Sequence, residues 1–308
     1  MNRRQITQRQ LETFATVARL GSFSRAAETL HLTQPAVSIQ IKQLSASIGL
    51  PLFEQIGRDV RLTAAGEELQ STVRALDDEW ARFDSAIGAL WGMHSGRLRV
   101  ALVTTAKYFL PRMLGAFCRR HPHIDVQLEI TNRAGVLARM RGNEDDIYIM
   151  SLPPNDLDIV VRPFLDNPLV VIAPLSHPSA GRSCTLEELS GESFLLREPG
   201  SGSRAAIDRH LQKLDRSLQV RLTVASNEAI RDLVASGLGL SILSRHSFAA
   251  NPADDGICIL DVEHFPIQQP WSIVHLKNKV LSLAAQAFIT ELEQAANNGG
   301  LARSSQSR

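Results

Sequence analysis

The stretch LETFATVARLGSFSRAAETLHLTQPAVSIQIKQLSASIGLPLFEQIGRDVRLTAAG, residues 11–66, decides the fold of the first part of the chain. Leu11, Phe14, Ala15 and Ala18 recur at helical spacing, and Gly21 stops that helix. Ser24 offers a capping oxygen to a second helix over 25–30, where the small Ala26 and Ala27 permit close helix packing. His31, Leu32 and Thr33 form a tight turn, Thr33 caps a third helix, and Pro35 sits in its first turn, where a missing N–H costs nothing. Val37, Ile41, Leu44 and Ile48 repeat at four, three and four residues, which gives that helix one buried face. Its other face carries Gln34, Ala36, Ser38, Ile39, Gln40, Lys42 and Gln43, short or polar near the helix start as contact with base edges requires. An ordinary three-helix interaction module would share this pattern. Residues 52–62 weigh against it, because they read as a hairpin with Gly57 at the turn and Arg58 at the tip. Such a wing brings Arg58 and Arg61 to the sugar-phosphate backbone, which adds affinity without sequence information. The expected contacts to double-stranded DNA are Ser24, Arg25, Thr33, Gln34, Pro35, Ala36, Ser38, Ile39, Lys42, Arg58 and Arg61.

Charge agrees with this placement. The 308 residues carry a net charge of only +1, but residues 1–62 hold eight Lys/Arg against four acids, so the head is +4 and the remainder −3. A basic head on a mildly acidic body favours a polyanion at the head alone. The three cysteines, Cys118, Cys184 and Cys258, lie far apart, which reads as reduced thiols of a cytoplasmic protein. The N-terminus is polar and no apolar run approaches the ~20 residues a membrane span needs, so neither a signal peptide nor a membrane partner is expected.

After the head, Thr63 opens a long helix over 63–92. Leu69, Val73, Leu76, Trp80, Phe83, Ile87 and Leu90 follow at alternating spacings of four and three, a heptad seam expected to pair two copies of the chain. The alternative is that the seam packs on the chain's own domain.

Residues 95–292 alternate strand-like and helix-like runs. Strands are expected at 98–103, 126–131, 147–150, 169–174, 220–224, 240–244 and 271–276, and helices at 109–120, 137–141, after Ser203, at 228–236 and at 281–292. This implies βαβ units, parallel sheets with helices on both faces, and two Rossmann-like lobes with a cleft between them. Lobe I takes about 95–165 and 267–292, lobe II about 166–266, and 293–308 forms a flexible tail. Strand ends and helix starts are where such sheets hold small ligands. Thr104, Thr105 and Lys107 follow one strand, Thr131, Asn132 and Arg133 another, and Ser201, Ser203 and Arg204 open a helix of the second lobe. Free N–H groups, hydroxyls and cations there suit a carboxylate or phosphate, although any one of them could be a plain helix cap.

The segment FATVARLGSFSRAAETLHLTQPAVSIQIKQL, with IGLPLFEQIGRDVRLTAAG after it, resembles the winged helix-turn-helix of the LysR-type transcriptional regulators, and the likeness extends over about residues 9–292. Ser45, Ala46 and Ser47 depart from it, since the family commonly carries acids there. The resemblance implies dimers or tetramers built through the linker helix, contact with RNA polymerase, and a co-inducer held in a two-lobed domain of periplasmic-binding-protein type. It assigns Thr104, Thr105, Thr131, Ser201, Ser203 and Arg204 to that co-inducer. AKYFLPRMLGAFCRRHP, PPNDLDIVVRPFLDNPLVVIAP, REPGSGSR and SNEAIRDLVASGLGLSILS look most like the subgroup that activates carbon-fixation (RuBisCO) operons. That subgroup answers to phosphorylated or nucleotide metabolites; subgroups sensing sulfur or nitrogen status share much of the pattern. No cofactor, metal or catalytic residue is expected. The chain has no G-x-S-x-G, H-E-x-x-H, P-loop or G-x-G-x-x-G motif, and His121 and His123 have no partner at metal-ligand spacing. A solute-binding protein would share the two lobes, but the wing and the polar N-terminus argue against it.

Overall fold

The structure, a computed structural model, describes residues 6–56, 59–90 and 96–297. The chain divides into two compact units, Met1–Ala81 and Arg82–Arg308.

The first unit holds α1 (Gln8–Leu20), α2 (Phe23–Thr29), α3 (Gln34–Ile48), β1 (Phe53–Ile56), β2 (Asp59–Leu62) and the start of α4 (Ala64–Leu90). Thr7 and Gln10 close a reciprocal capping box at the start of α1, and left-handed Gly21 (φ 59°) ends the helix. Ser22, not the expected Ser24, caps α2: its side chain accepts from the Arg25 N–H. The earlier start follows from Phe23, whose ring packs edge-on against Phe53 at 5.7 Å and so belongs to the packed helix. Thr33 caps α3 as the sequence suggests, with Pro35 in the first turn. Phe14, Val17, Ala26, Ala27, Val37, Ile41, Leu44, Leu52 and Val73 form the core. β1 and β2 pair antiparallel, Phe53 opposite Leu62, and Phe53 ties the hairpin to Phe14 at 5.3 Å. The turn residues Gly57 and Arg58 lie outside the described residues. Thr63 caps α4 through the Gly66 N–H at 3.1 Å. Gly66 itself runs against Leu52, where a Cβ would fall 2.2 Å from the carbonyl oxygen.

The second unit continues with β3 (Gly96–Val103), a 3-10 turn (Thr104–Tyr108), α5 (Leu110–Arg120), β4 (Ile124–Thr131), α6 (Arg133–Arg141), β5 (Ile147–Met150) and β6 (Ile159–Leu165). Then come β7 (Pro168–Pro174), β8 (Ser183–Cys184), β9 (Ser193–Arg197), α7 (Gly202–Lys213), β10 (Gln219–Val224), α8 (Asn227–Ala235), β11 (Ser241–Ser244), β12 (Ile257–Val262) and β13 (Ile267–Gln268). β14 (Trp271–Leu276) and α9 (Leu283–Asn297) complete it. Lobe I is a sheet in the order β4-β3-β5-β14-β6, and lobe II centres on β11-β7-β12-β8 with β13 also on β7. The parallel pair β9–β10 joins β11 through Leu240, which exchanges backbone hydrogen bonds with Ser193 and Leu195, 2.8 Å each.

The wholly parallel sheets expected from strand–helix alternation are not what forms. In lobe I β4, β3 and β5 pair in parallel, and β14 is antiparallel to both of its neighbours, β5 and β6, so it alone runs against the other four strands. In lobe II, β7 is antiparallel to β11, β12 and β13. Direction follows from the crossovers. β3 and β5 end toward lobe II, whereas β14 enters from lobe II and must run the opposite way. The run LVVIAP is apolar throughout because β7 is covered on both faces: Leu169, Val171 and Ala173 enter one core, Val170 and Ile172 another.

Among the boundaries that differ from expectation, three reshape the lobes or their ends. Ile267 and Gln268 pair with β7, so lobe II extends two residues further. α6 begins at Arg133, four residues before the expected 137, because Asn132 caps it through the Gly135 N–H. α9 continues to Asn297, past the expected helix end at 292, so the first residues of the expected tail are helical. The lobes are joined twice by short crossovers, where Gln269 N–H donates to the Asn167 carbonyl at 3.2 Å. Asn167 is buried, and its Oδ1 accepts from the Ser244 hydroxyl at 2.6 Å.

Candidate nucleic-acid interface and effector cleft

On α3 the apolar stripe Val37, Ile41 and Leu44 is fully committed to the core. The opposite side leaves Gln34, Pro35, Ile39 and Lys42 exposed and Ala36 and Ser38 half-buried. Ile39 stands 56% exposed, the apolar member of an otherwise polar face. Gln34 donates to the Ser38 hydroxyl at 3.0 Å, which orders two neighbouring members of that face. Gln40, expected on the outer face, turns inward and accepts from the Thr13 hydroxyl at 2.6 Å, bracing α3 on α1. Ser24 and Arg25 are exposed on α2, with the Arg25 guanidinium bonded to the Leu20 carbonyl. Thr33 is exposed at the helix start, Arg61 is exposed on β2, and Arg58 lies outside the described residues. A short polar helix face beside a hairpin is the geometry that fits a major groove.

The seam on α4 divides. Val73 is buried in the helical head and Leu69 packs against the same core, so these two serve their own unit. Leu76, Trp80 and Phe83 are 44%, 58% and 53% exposed. Ile87 is half-buried, and the side chain of Leu90 is not among those described.

In the second unit, the strand ends of the two lobes meet as a cleft. Thr104 and Thr105 open the 3-10 turn after β3, and Thr105 is buried. Across from them, Arg197 ends β9 with its side chain 1% exposed. Its guanidinium donates to Glu198 at 2.8 and 3.1 Å, to Asn227 Oδ1 at 2.6 Å and, from lobe II to lobe I, to Thr104 Oγ1 at 3.3 Å. Further along the same turn, Lys107 Nζ lies 2.8 Å from Glu228 Oε1, and the Tyr108 hydroxyl donates to that oxygen at 2.9 Å. Ser226, the cap of α8, donates to Glu228 Oε2 at 2.8 Å. Burial alone would raise the Glu228 pKa, but hydrogen bonds from Lys107, its own backbone N–H, Ser226 and Tyr108 outweigh it and hold the carboxyl down to about 2. Burial pushes the Tyr108 hydroxyl well above its usual range, so it stays a donor.

The other side of the cleft is basic and rich in hydroxyls. Ser201 and Ser203 are buried at the start of α7, and Ser201 makes no side-chain cap hydrogen bond. The first N–H groups of α7 therefore have no intrahelical partner and no cap. A Cβ on Gly202 would stand 3.6 Å from Ser151 Oγ and 3.7 Å from Arg133 Cδ, so α7 starts directly against lobe I. Arg133 donates to the carbonyl of left-handed Leu152 (φ 61°) at 3.1 Å. Burial, with repulsion from Arg209 and Arg141, pushes its pKa below the usual guanidinium range. Thr131 packs over Gly135, where a Cβ would come within 2.3 Å of its hydroxyl oxygen. Besides Thr104, Lys107 and Arg133, two more of the expected contacts have structural partners: Asn132 caps α6, and Arg204 pairs with Asp208 at 2.9 Å and donates to the Arg197 carbonyl at 3.1 Å. Sequence reading missed Tyr108, Ser151, Arg197, Asn227 and Glu228. The available signal was the charged end of the apolar strand SFLLR, and the Ser-Asn-Glu start of α8. Among the described residues no cluster of His, Cys, Asp and Glu could hold a metal, and no helix is long and apolar enough to cross a membrane.

A winged helix-turn-helix followed by a two-lobed domain with a polar cleft defines a ligand-responsive transcription regulator. Residues 8–67 match the bacterial regulatory helix-turn-helix proteins of the lysR family, and residues 92–297 match the LysR substrate binding domain. The chain belongs to the LysR family of transcription regulators, which are not enzymes. It is 44% identical over 93% of its length to the HTH-type transcriptional activator CmpR of Synechocystis sp., covering 94% of that protein. It is also 44% identical to the RuBisCO operon transcriptional regulator of Acidithiobacillus ferrooxidans, covering 97% of each chain. Among solved structures, the regulatory domain of Synechocystis CcmR in complex with 2-PG is 44% identical, with a TM-score of 0.63 over 66% of this chain and 98% of that one.

Proposed function

We propose that this protein is a cytoplasmic, sequence-specific activator of a carbon-fixation operon, switched by a phosphorylated or nucleotide metabolite held between lobes I and II. The observation that carries the ligand class is the uncapped start of α7, with buried Ser201 and Ser203, set directly against Arg133 of lobe I. Unsatisfied N–H groups, hydroxyls and a cation together suit a phosphoryl group. Thr104, Thr105, Lys107 and Thr131 supply further hydroxyls and charge at the strand ends of lobe I. The names of the relatives support the carbon-fixation assignment, and 2-PG on CcmR supports a phosphorylated ligand.

α3 reads operator bases through Gln34, Ala36, Ser38, Ile39 and Lys42, while Arg61 and Arg58 contact phosphates. Leu76, Trp80 and Phe83 pair two heads to match a two-fold operator, with tetramers built from such dimers. A ligand that prefers one lobe arrangement shifts the population toward it and changes how the heads and RNA polymerase meet the DNA.

The test is a gel-shift titration of the full chain on its own upstream DNA, with and without 2-PG, beside a thermal-shift panel of phosphorylated metabolites and nicotinamide nucleotides. The expected result is salt-dependent operator binding whose mobility or footprint changes with one of these ligands. Thr104→Met should abolish that response and spare operator binding. Operator binding indifferent to every phosphorylated or nucleotide ligand, with no thermal shift, overturns the proposal.

A further inference from the structure

We infer that Glu228 is the specificity-determining residue of the cleft: a built-in carboxylate that occupies Lys107, so that a phosphoryl dianion takes this lysine and a simple monocarboxylate does not. The inference rests on the reading of the cleft as an anion site and adds to it the rule by which anions are sorted.

The two cations on this side of the cleft are held in different ways. Arg197 is sealed, with its side chain 1% exposed and its guanidinium chelated by both oxygens of adjacent Glu198 and by Asn227. Lys107 is 36% exposed and meets Glu228 through a single oxygen at 2.8 Å. Glu228 stands in the first turn of α8, where the helix dipole favours a carboxylate, and it reaches Lys107 from the opposite lobe. Its two oxygens also accept from Tyr108 at 2.9 Å and Ser226 at 2.8 Å. When the lysine is taken by a ligand, the carboxylate therefore keeps two hydroxyl donors and is not stranded.

Exchange at Lys107 thus replaces one anion with another. A monoanion offers the ammonium what Glu228 already offers and gains nothing. A phosphoryl group, dianionic above its second pKa of about 6, doubles the charge presented to the lysine. Glu228 also repels any anion that arrives without displacing it. Weak carboxylates are refused, and the affinity for phosphorylated ligands is held down to a level that can follow metabolite concentration.

The experiment measures binding of 2-PG, inorganic phosphate and acetate to the full-length protein by calorimetry at pH 7.5, in wild type, Glu228→Gln, Lys107→Gln and the double variant. Glutamine preserves the hydrogen-bonding shape and removes the charge. Glu228→Gln should bind 2-PG about tenfold more tightly, an expectation from Coulomb attraction in a half-buried site, and should let acetate, which gains nothing against Glu228 in the wild type, take Lys107 with a gain of similar size. Both effects should vanish in the Lys107→Gln background. An unchanged or weakened affinity for both 2-PG and acetate in Glu228→Gln overturns the inference while leaving the anion site in place. Failure of every probe to bind either wild type or Glu228→Gln overturns the site and the inference together. A wild-type measurement guards against a variant that folds poorly. The chain has two tyrosines, Tyr108 and Tyr148. With fluorotyrosine incorporated, 2-PG should shift the Tyr108 resonance and leave that of Tyr148, buried in lobe I, in place. A Tyr108 resonance that stays still at saturating 2-PG overturns the inference as well.

Discussion

The outer face of α3 and the cleft of the second unit are both polar surfaces, each proposed to meet a charged partner, yet they are built in opposite ways. On α3 the packing residues and the contact residues alternate within a single helix, and Ile39 and Lys42 are exposed while Val37, Ile41 and Leu44 carry the fold. In the cleft the charged residues carry part of the fold themselves. The Arg197 side chain bonds Glu198 and Asn227 of its own lobe and Thr104 of the other, and Glu228 ties Lys107 and Tyr108 of one lobe to Ser226 of the other. A surface that reads rigid DNA can keep stability and contact on separate faces. In the cleft, the groups that hold the two lobes together are the ones that the proposed ligand would meet.

This contrast can be broken most severely at Arg197. Arg197→Met leaves Glu198 and Asn227 without their cation inside the domain, and breaking such a buried pair costs about 3–5 kcal/mol. Hydrogen exchange during urea unfolding should show the loss in residues 193–244 and leave residues 8–48 protected. Equal loss in both would mean that the units are not energetically separate. The mirror-image change is Gly66→Ala, whose Cβ would collide with the Leu52 carbonyl. Overpacking of this kind costs about 1–3 kcal/mol, and here the protection should fall in residues 8–48 alone.

A smaller pair of changes sharpens the reading of the head. Ser22→Ala removes the α2 cap and should cost about 1 kcal/mol, whereas Ser24→Ala should stay within about 0.5 kcal/mol. Chemical denaturation of both variants decides it, and a larger loss at Ser24 would return the cap to the position the sequence alone suggests. The smallest effect depends on pH. Glu228 has its folded pKa lowered from 4.5 to about 2, so the stability from its charged form is complete above about pH 4.5 and is lost as pH falls toward 2. The stability difference between wild type and Glu228→Gln should therefore be flat from pH 5 to 8 and shrink below 4.5. A difference that instead changes across neutrality would place another titrating group in control.

The same contrast explains what was legible in the sequence. The helical head could be read almost residue by residue, because its signals, the four-three-four stripe and Thr33 before Pro35, act within a few residues of each other. Its errors were local too: of two serines flanking Phe23, the capping role fell to the one that leaves Phe23 free to pack as part of the helix. The strand ends of the cleft were legible as positions, since an apolar run stops at Val103 and an alternating one stops at Thr131. Their partners were not. Arg197 closes an apolar strand and reads as a solvated end until Thr104, more than ninety residues earlier, comes to face it. The direction of β14 was hidden for the same reason, since it depends on a crossover and not on the strand's own residues. Leu69 and Val73 show how a perfect heptad can serve two masters, with its first two positions packing on their own head.

The insertion of β14 between β5 and β6 also sets an order of events on the ribosome. Lobe II is encoded without interruption, from β7 to β13, and is complete before β14 is made. Lobe I is not: β14 stands between β5 and β6, and the lobe's core lacks Trp271, Ile273, Val274 and Phe288 until β14 and α9 have emerged. The first lobe to begin is therefore the last to close. A nascent chain holds a finished second lobe and an open first one for the seconds that β14 and α9 take to emerge, at roughly 5–20 residues per second. The cleft between the lobes is therefore built only after β14 has been made.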